Sequence, residues 1–536
     1  MRTATAQTPD SACIVTTPSG SVRGIAPGDP RPREAGPDRG AACTYLGIPY
    51  ATPPLGDRRW KPPQPVRPWA PVTFNAILPR QCPQISVPAG VIAGTEDCLL
   101  LHVWTPRVRD SRRLPVLVWF HTGAFQAANA LNAASIGERL AQERDVVVVA
   151  PNYRLGPFGF LAHSALTTED PTYRSSGNYG LLDQRAALVW VRDHIAAFGG
   201  DPRNVTIAGT SAGSHSVSFH LVSPGSAGLF HRAIIQSGSA SFRWPDAGEA
   251  EAQGAQFARA VGCMEEGTTA ACLRSRTAEQ VLRALRIEQQ RIVEPSAVAW
   301  GPTIDGIVVP DQPRQRYRGG RFNRVPLIIG VNRDDGWTFV DRSFPTGLDA
   351  LQYEAVVRTE FGGDGPAVLR MYPLTAFPSP KDALAELAGD AEYLCEARRV
   401  ARFVSQAGVG VFAYVFGYTI DTVTPGRAFH GLEPNLLFGN DFAAPSNHVL
   451  TAADLALFHR MSSLWRRFAE VGHPNAPAQG MAWPSFRVDR YPILSDRYLV
   501  LNDTFRTTNR LHHRQCDFWD RFDFRSLVGP VPASAR

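Results

Sequence analysis

The stretch Val205-Thr-Ile-Ala-Gly-Thr-Ser-Ala-Gly-Ser214 decides the fold, because a pattern typical of a buried strand breaks within it at G-x-S-x-G. That pattern places a serine on a tight turn between a strand and a helix, where the glycines admit a backbone path that a Cβ atom would obstruct. Residues 214–222 can continue as a helix. The stretch therefore predicts Ser211 as a nucleophile and the Ala212 N–H group as one donor to a developing oxyanion.

Strand and helix patterns alternate on both sides of this turn. A helix is predicted from Leu181 to Phe198, and strands are predicted at 116–120, 146–152, 204–208, 231–236, 327–331 and 411–415. This order predicts an α/β fold with a mostly parallel central sheet and helices on both faces. We expect one domain over residues 1–536, with large helical insertions at about 245–300 and 345–405.

Composition excludes several classes of protein. Of the 536 residues, 44% are hydrophobic and 19% are charged, which is typical of a compact globular chain. The net charge of +6 comes from scattered arginines, so nucleic-acid binding is not expected. No apolar run reaches the ~18 residues of a membrane span, and the first twenty residues contain no apolar segment typical of a secretion signal. These features leave the oligomeric state open.

A serine hydroxyl needs an imidazole to take its proton, and the imidazole needs an acid to fix its tautomer. Of the 13 histidines, His430 is the predicted base, because it follows the last core strand and so lies at the carboxyl edge of the sheet. Asp334 and Asp335 are the candidate acids, since both follow the strand that begins at Leu327. The order serine, acid, histidine is that of α/β hydrolases.

An oxyanion hole also needs backbone N–H groups from a second loop. The loop His121-Thr-Gly-Ala-Phe125 follows a predicted strand, and its small residues let the backbone approach a substrate closely. We therefore expect this loop to supply the remaining donors.

The chain resembles the type-B carboxylesterase and lipase family, which includes bacterial p-nitrobenzyl esterases and, more distantly, cholinesterases. The matching blocks span nearly the whole length: Tyr45-Leu-Gly-Ile-Pro-Tyr50, Glu96-Asp-Cys-Leu-Leu-Leu-His-Val-Trp104, Asn152-Tyr-Arg-Leu-Gly156, Gly177-Asn-Tyr-Gly-Leu-Leu-Asp-Gln184, Phe198-Gly-Gly-Asp-Pro-Arg-Asn-Val-Thr206, Gln236-Ser-Gly-Ser239 and Trp483-Pro484. The resemblance implies an α/β-hydrolase fold and hydrolysis of small-molecule carboxylic esters through an acyl-serine, with no cofactor and no metal. It assigns Ser211 as nucleophile, His430 as base, Asp335 rather than Asp334 as acid, and the N–H groups of Gly123, Ala124 and Ala212 as the oxyanion hole.

Three positions depart from the family pattern. The family usually has glycine at the position of Thr122, glutamate at that of Thr210 and glutamate at that of Asp335. Because Thr210 removes a carboxylate beside the serine, attraction for cationic alcohols is expected to be weak. The segment between Cys82 and Cys98 also lacks the choline-stacking tryptophan of cholinesterases. A cholinesterase is therefore disfavoured.

The resemblance also implies disulfides between Cys82 and Cys98, Cys263 and Cys272, and Cys395 and Cys516, and it leaves the state of Cys13 and Cys43 open. Paired cysteines favour an oxidising, extracytoplasmic location. The missing signal favours the cytoplasm if none was removed, and free buried thiols are then the alternative.

Two other functions fit the same scaffold. The departures at Thr122, Thr210 and Asp335 are compatible with acyl transfer or cyclisation in specialised metabolism, in which an acceptor other than water attacks the acyl-serine. A non-catalytic binding protein is also compatible with the fold, but the presence of both Ser211 and His430 argues against it.

Overall fold

The computed structural model describes residues 13–26, 42–70, 73–75, 79–86, 90–106, 112–171, 173–284, 300–475, 482–488 and 495–522. The first twelve residues, which belong to the segment examined for a secretion signal, lie outside these ranges. So do residues 285–299, which belong to the first predicted insertion.

The described residues form fifteen strands, and ten of them make one large sheet. The strands are β1 (Ile14–Thr17), β2 (Gly20–Arg23), β3 (Ala42–Pro49), β4 (Phe74–Asn75), β5 (Gln84–Ile85), β6 (Ile92–Ala93), β7 (Leu100–Pro106), β8 (Leu114–Phe120), β9 (Val147–Pro151), β10 (Gly200–Thr210), β11 (Arg232–Gln236), β12 (Leu327–Asn332), β13 (Val411–Phe416), β14 (Arg497–Leu501) and β15 (Arg506–Asn509).

The order of the large sheet is β15-β14-β13-β12-β11-β10-β8-β9-β7-β3. Its central strands, from β9 through β8 and β10 to β14, are parallel to their neighbours. The strands at the two edges pair antiparallel. The predicted mostly parallel sheet is confirmed, and its geometry brings the carboxyl ends of β8, β10, β12 and β13 to one edge.

Seventeen α-helices are present among the described residues. They are α1 (Glu138–Arg144), α2 (Gly156–Phe160), α3 (Ser164–Thr167), α4 (Tyr179–His194), α5 (Ala212–Val222), α6 (Ala247–Ala260), α7 (Thr269–Ser275), α8 (Ala278–Arg283), α9 (Pro313–Arg318), α10 (Trp337–Ser343), α11 (Ala350–Phe361), α12 (Gly365–Met371), α13 (Pro380–Gly389), α14 (Cys395–Gln406), α15 (Glu433–Phe438), α16 (Ala452–Val471) and α17 (His513–Trp519). Within the described part of the chain, none of these helices has the length and apolar character needed to cross a bilayer.

The predicted helix over 181–198 differs from the observed one at both ends. Helix α4 begins two residues earlier and ends at His194, and a 3₁₀ turn continues the chain from Ile195 to Phe198. The turn ends at Gly199, whose φ of +88° lies in the left-handed region that glycine tolerates best. Such fraying of the last helical turn is common and leaves the packed face of α4 unchanged.

Successive residues of a strand point to opposite sides of the sheet. Because the central strands are apolar throughout, both faces must be buried, and helices cover each of them. Ile235 and Ile329 join the buried cluster that contains Val217 of α5, whereas Ile234 and Ile328 join the cluster that contains Phe458 of α16. Two apolar cores therefore sandwich the sheet, as the α/β architecture requires.

Four cysteine pairs lie at disulfide distance. Three are the pairs that the family resemblance implies, and the fourth joins Cys13 to Cys43, a pairing that the sequence had left open. The link between Cys395 and Cys516 has the largest sequence separation, 121 residues, and it ties α17 to the start of α14.

Candidate active site

Ser211 lies on a strained turn between β10 and α5. Its φ of +56° and ψ of −126° are unusual for a residue with a side chain, and its N–H group donates to the Gln236 carbonyl oxygen over 3.0 Å. A Cβ atom on Gly209 would lie 2.5 Å from the Gly213 carbonyl carbon, and one on Gly213 would overlap the Phe120 carbonyl oxygen. Both flanking glycines are therefore required by the close approach of strand, turn and helix.

The predicted acid and base meet directly. His430 Nδ1 lies 2.9 Å from Asp335 Oδ1, and the Asp335 side chain is buried. The other carboxylate oxygen, Oδ2, accepts a hydrogen bond from the Ser237 hydroxyl at 2.8 Å and one from the Asn332 N–H group at 2.9 Å. Three contacts therefore fix the orientation of this carboxylate.

Asp334 points to different partners. Its Oδ2 atom accepts the Ala428 N–H group at 2.8 Å, and its own N–H group donates back to the Ala428 carbonyl oxygen at 3.0 Å. The guanidinium groups of Arg333 and Arg427 lie beside its carboxylate. Asp334 thus ties its own loop to the loop that carries His430, and it does not contact the imidazole through any bond found among the described residues.

The free edge of the imidazole is enclosed. Phe339 and Tyr393 place their rings 5.0 and 4.9 Å from that of His430. His430 Nε2 is buried and has no hydrogen-bond partner within the described chain, so Ser211 does not bond to it in this state. Catalytic hydrogen bonds are often long before substrate binds. A series of contacts still connects Ser211 to His430. The Gln236 carbonyl oxygen accepts the Ser211 N–H group, and the next residue, Ser237, donates its hydroxyl to Asp335, which contacts His430.

The predicted oxyanion loop follows β8 and has an unusual backbone. Gly123, Ala124 and Phe125 have φ values of +109°, +52° and +59°. Positive φ values at three successive positions show that the backbone turns sharply here, as a loop without regular structure does. Among the hydrogen bonds of the described residues, none is donated by the backbone of Gly123 or Ala124. Thr122 precedes these two positions, and its carbonyl oxygen contacts His121 Nδ1 at 2.8 Å.

Sequence reasoning missed a buried acidic group, Glu433, beside Gln236, the residue whose carbonyl oxygen accepts the Ser211 N–H group. Glu433 accepts the Tyr414 hydroxyl at 2.7 and 2.9 Å and also contacts the Gln236 amide. Burial, with a further contribution from the Asp335 charge, raises the pKa of Glu433 to about 8. Gln236 Oε1 has no partner among the described residues. Turning the amide over would let a protonated Glu433 donate to this oxygen.

We expect Glu433→Gln to flatten the dependence of stability on pH. The pKa of this group is about 8 in the folded chain and about 4.5 as a free side chain, so the folded state binds the extra proton and stability falls as pH rises from 4.5 to 8. The amide removes this contribution. Melting temperatures at pH 5 and pH 8 measure it, with Glu279→Gln on the exposed face of α8 as the matched control. If the melting temperature fell equally between pH 5 and pH 8 in the wild type and in Glu433→Gln, the raised pKa of Glu433 would be contradicted.

The fold and the meeting of serine, carboxylate and imidazole loops at one sheet edge define the α/β-hydrolase class. The family model of the carboxylesterase family matches residues 11–519. The chain is also similar to a cholinesterase from Mus musculus, with 33% identity over 95% of this chain and 86% of that protein. The chain belongs to the carboxylesterase family, which confirms the resemblance inferred from its motifs and identifies it as a carboxylic-ester hydrolase.

Proposed function

We propose that the protein hydrolyses carboxylic esters through an acyl-enzyme formed on Ser211. The observation that supports this most directly is the contact between Asp335 and His430 Nδ1, which leaves Nε2 as the only ring nitrogen able to accept a proton. A neutral imidazole with its proton held at Nδ1 is the form required of a general base.

In the proposed reaction, the Ser211 hydroxyl adds to the ester carbonyl while His430 Nε2 takes its proton. The N–H groups of Gly123, Ala124 and Ala212 donate to the resulting oxyanion; such donors typically contribute ~2.7–4 kcal/mol each to catalysis. His430 then protonates the departing alcohol. A water molecule then attacks the acyl-serine carbonyl while His430 Nε2 takes its proton, and His430 returns this proton to Ser211 Oγ. This step releases the carboxylic acid product and regenerates the Ser211 hydroxyl.

We further propose that the natural substrates are neutral esters. The residue before the serine is Thr210, which is buried and uncharged, so no carboxylate stands at that position to attract a cation. The aromatic side chains of Phe242 and Trp244 are also buried close to α5, where they contact the ring of His215 at centroid distances of 5.5 and 5.6 Å. Apolar and aromatic surroundings favour an uncharged acyl group.

A choline ester is therefore expected to be no better a substrate than its uncharged isostere. The comparison pairs butyrylcholine with 3,3-dimethylbutyl butyrate, and kcat/KM is measured for both at low and high salt. Thr210→Glu is the matched variant, because the added carboxylate should raise the ratio in favour of choline. A wild-type preference of tenfold or more for choline that disappears at high salt would refute the neutral-ester proposal and leave the acyl-serine mechanism intact.

A further inference from the structure

A second cluster of ligand-type side chains lies behind the loop that carries the acid. It consists of Glu386 on α13, Asp390 at the start of a π-helical turn, and His512 just before α17. His512 Nδ1 lies 2.6 Å from Asp390 Oδ1 and 3.3 Å from Glu386 Oε1. One donor atom from each residue lies within 4.8 Å of the other two. We call these three residues the His512 cluster.

The central carboxylate of the cluster is oriented by a buried hydrogen-bond chain. The Tyr372 hydroxyl donates to Asp390 Oδ2 at 2.9 Å, and the Trp519 indole N–H group donates to the same hydroxyl at 2.8 Å. Asp390 is only 2% exposed. The Oδ1 atom therefore faces the cluster in a fixed direction. Supporting bonds of this kind are typical of carboxylates that ligate metal ions.

A cavity of about 60 Å³ is lined by the three cluster residues together with apolar side chains such as Leu394 and Leu511. A bound water needs at least about 10–15 Å³ of such space, so the cavity can hold an ion with a water as its fourth ligand. The Arg333 side chain also borders the cavity, but its guanidinium group is occupied by the Asp334 carboxylate and the Gly426 carbonyl oxygen. The cluster thus presents two carboxylates and one imidazole to one side of a small cavity whose other walls are mostly apolar.

The distances suit a small tetrahedral ion. Zinc binds imidazole nitrogen and carboxylate oxygen at about 2.0–2.2 Å, which places ligand atoms of a tetrahedron about 3.3 Å apart. The observed separations of 2.6 and 3.3 Å differ from this value by less than about 1 Å. Binding would replace the proton on His512 Nδ1 with the metal, and side-chain rotations would suffice to open the shorter contact.

We propose that the His512 cluster is a binding site for one Zn²⁺ ion, or for a divalent transition ion of the same class, separate from the Ser211 site. Imidazole favours zinc and its neighbours over magnesium and calcium, which prefer all-oxygen sites. The cluster joins α13, the π-helical turn and the segment before α17, so the bound ion would fasten three parts of the chain that are distant in sequence. Its role is structural, because the ion would not touch the serine or the substrate.

The position of the site links it to the acid loop. A Cβ atom on Gly336, the residue after Asp335, would overlap the Ala385 carbonyl oxygen of α13. Helix α13 therefore packs directly against the turn that carries Asp335. The contact is made by Ala385, which immediately precedes the cluster residue Glu386. A metal ion bound to Glu386 would hold α13 in place and should reduce local opening of the turn that carries Asp335. Thermal stability is therefore the first property to measure.

The test uses the full oxidised chain after dialysis against a chelator and then into chelator-free buffer. Calorimetric titration with ZnCl₂ is expected to show one ion per chain, and Zn²⁺ at 100 times its Kd is expected to raise the melting temperature by about 2 °C. His512→Gln and Glu386→Gln should each weaken binding at least tenfold. His513→Gln changes a partly buried neighbour of the same type that is not a member of the cluster, and it should bind as the wild type does.

Titration with Co²⁺ provides a second measurement that does not depend on stability. Cobalt bound to nitrogen and oxygen in a four-coordinate site absorbs visible light strongly, so the wild type and His513→Gln should gain these bands and His512→Gln should not. Equal binding by His512→Gln and the wild type, or no binding of Zn²⁺ or Co²⁺ by the wild type, would overturn the proposal. Equally tight binding of Mg²⁺ would overturn the assignment to a transition ion.

Discussion

Ser211→Ala is expected to lower kcat for p-nitrophenyl acetate and butyrate by ~10⁴-fold or more, because it removes the atom that forms the acyl-enzyme. The wild type should release a rapid burst of p-nitrophenol equal to the enzyme concentration, and the variant should show none. The strained turn should survive the change, since alanine keeps the Cβ atom and the backbone bond to Gln236. Folding is checked by circular dichroism.

Ser223→Ala is the matched control, because it removes a buried hydroxyl at the other end of the same helix. It should retain the burst and nearly all of the turnover. Undiminished turnover in Ser211→Ala would end the acyl-serine proposal. A loss in both variants would instead point to damage to α5, and a mass shift of Ser211 after treatment with a fluorophosphonate would then decide between the two explanations.

Asp335→Asn is expected to lower kcat by up to ~10⁴-fold with little effect on folding. The amide oxygen would be drawn to the Ser237 hydroxyl and the Asn332 N–H group, which occupy Oδ2 in the native chain. The amide NH₂ group would then face His430 Nδ1 and hold the imidazole in the tautomer that carries its proton at Nε2. That tautomer cannot accept a proton from the serine.

Asp334→Asn is the control at the adjacent position and should cost less than about tenfold. An asparagine oxygen can still accept the Ala428 N–H group, so the loop that carries His430 should keep its path. Both variants are assayed on the same ester after circular dichroism shows that they are folded. The reverse ranking would move the acid to Asp334 and refute the alignment of this loop with the family.

Much of the fold could be predicted because its signals are local. The break from strand to helix at Ser211 depends on two glycines, and each meets its neighbours too closely for a larger residue. The strands are apolar runs that lie buried in the sheet. By contrast, the pairing of Cys13 with Cys43 depends on how β3 and its neighbours fold back on the body, and no local pattern reports that.

The candidate site was predictable in part for the same reason. His430 and Asp335 follow core strands, and parallel strands bring their carboxyl ends together. The hydroxyl of Ser237 and the carboxylate of Glu433 were not assigned roles, although Ser237 lies in a motif shared with the family. Their contacts reach residues nearly 100 and nearly 200 positions away. Such pairings depend on tertiary packing, so single-sequence patterns do not reveal them.

The long separations within the site also bear on how the chain acquires activity. His430 and Asp335 are 95 residues apart, and Ser237 and Asp335 are 98 apart. Each contact forms only after a long loop has closed, and the entropy cost of that closure comes before any stabilising interaction. Such contacts are therefore slow to form. The site cannot assemble until β13 has joined the sheet beside β12, because the histidine loop follows that strand. Recovery of esterase activity should therefore trail the recovery of helical signal during refolding, and it would report the last stage of assembly rather than the first.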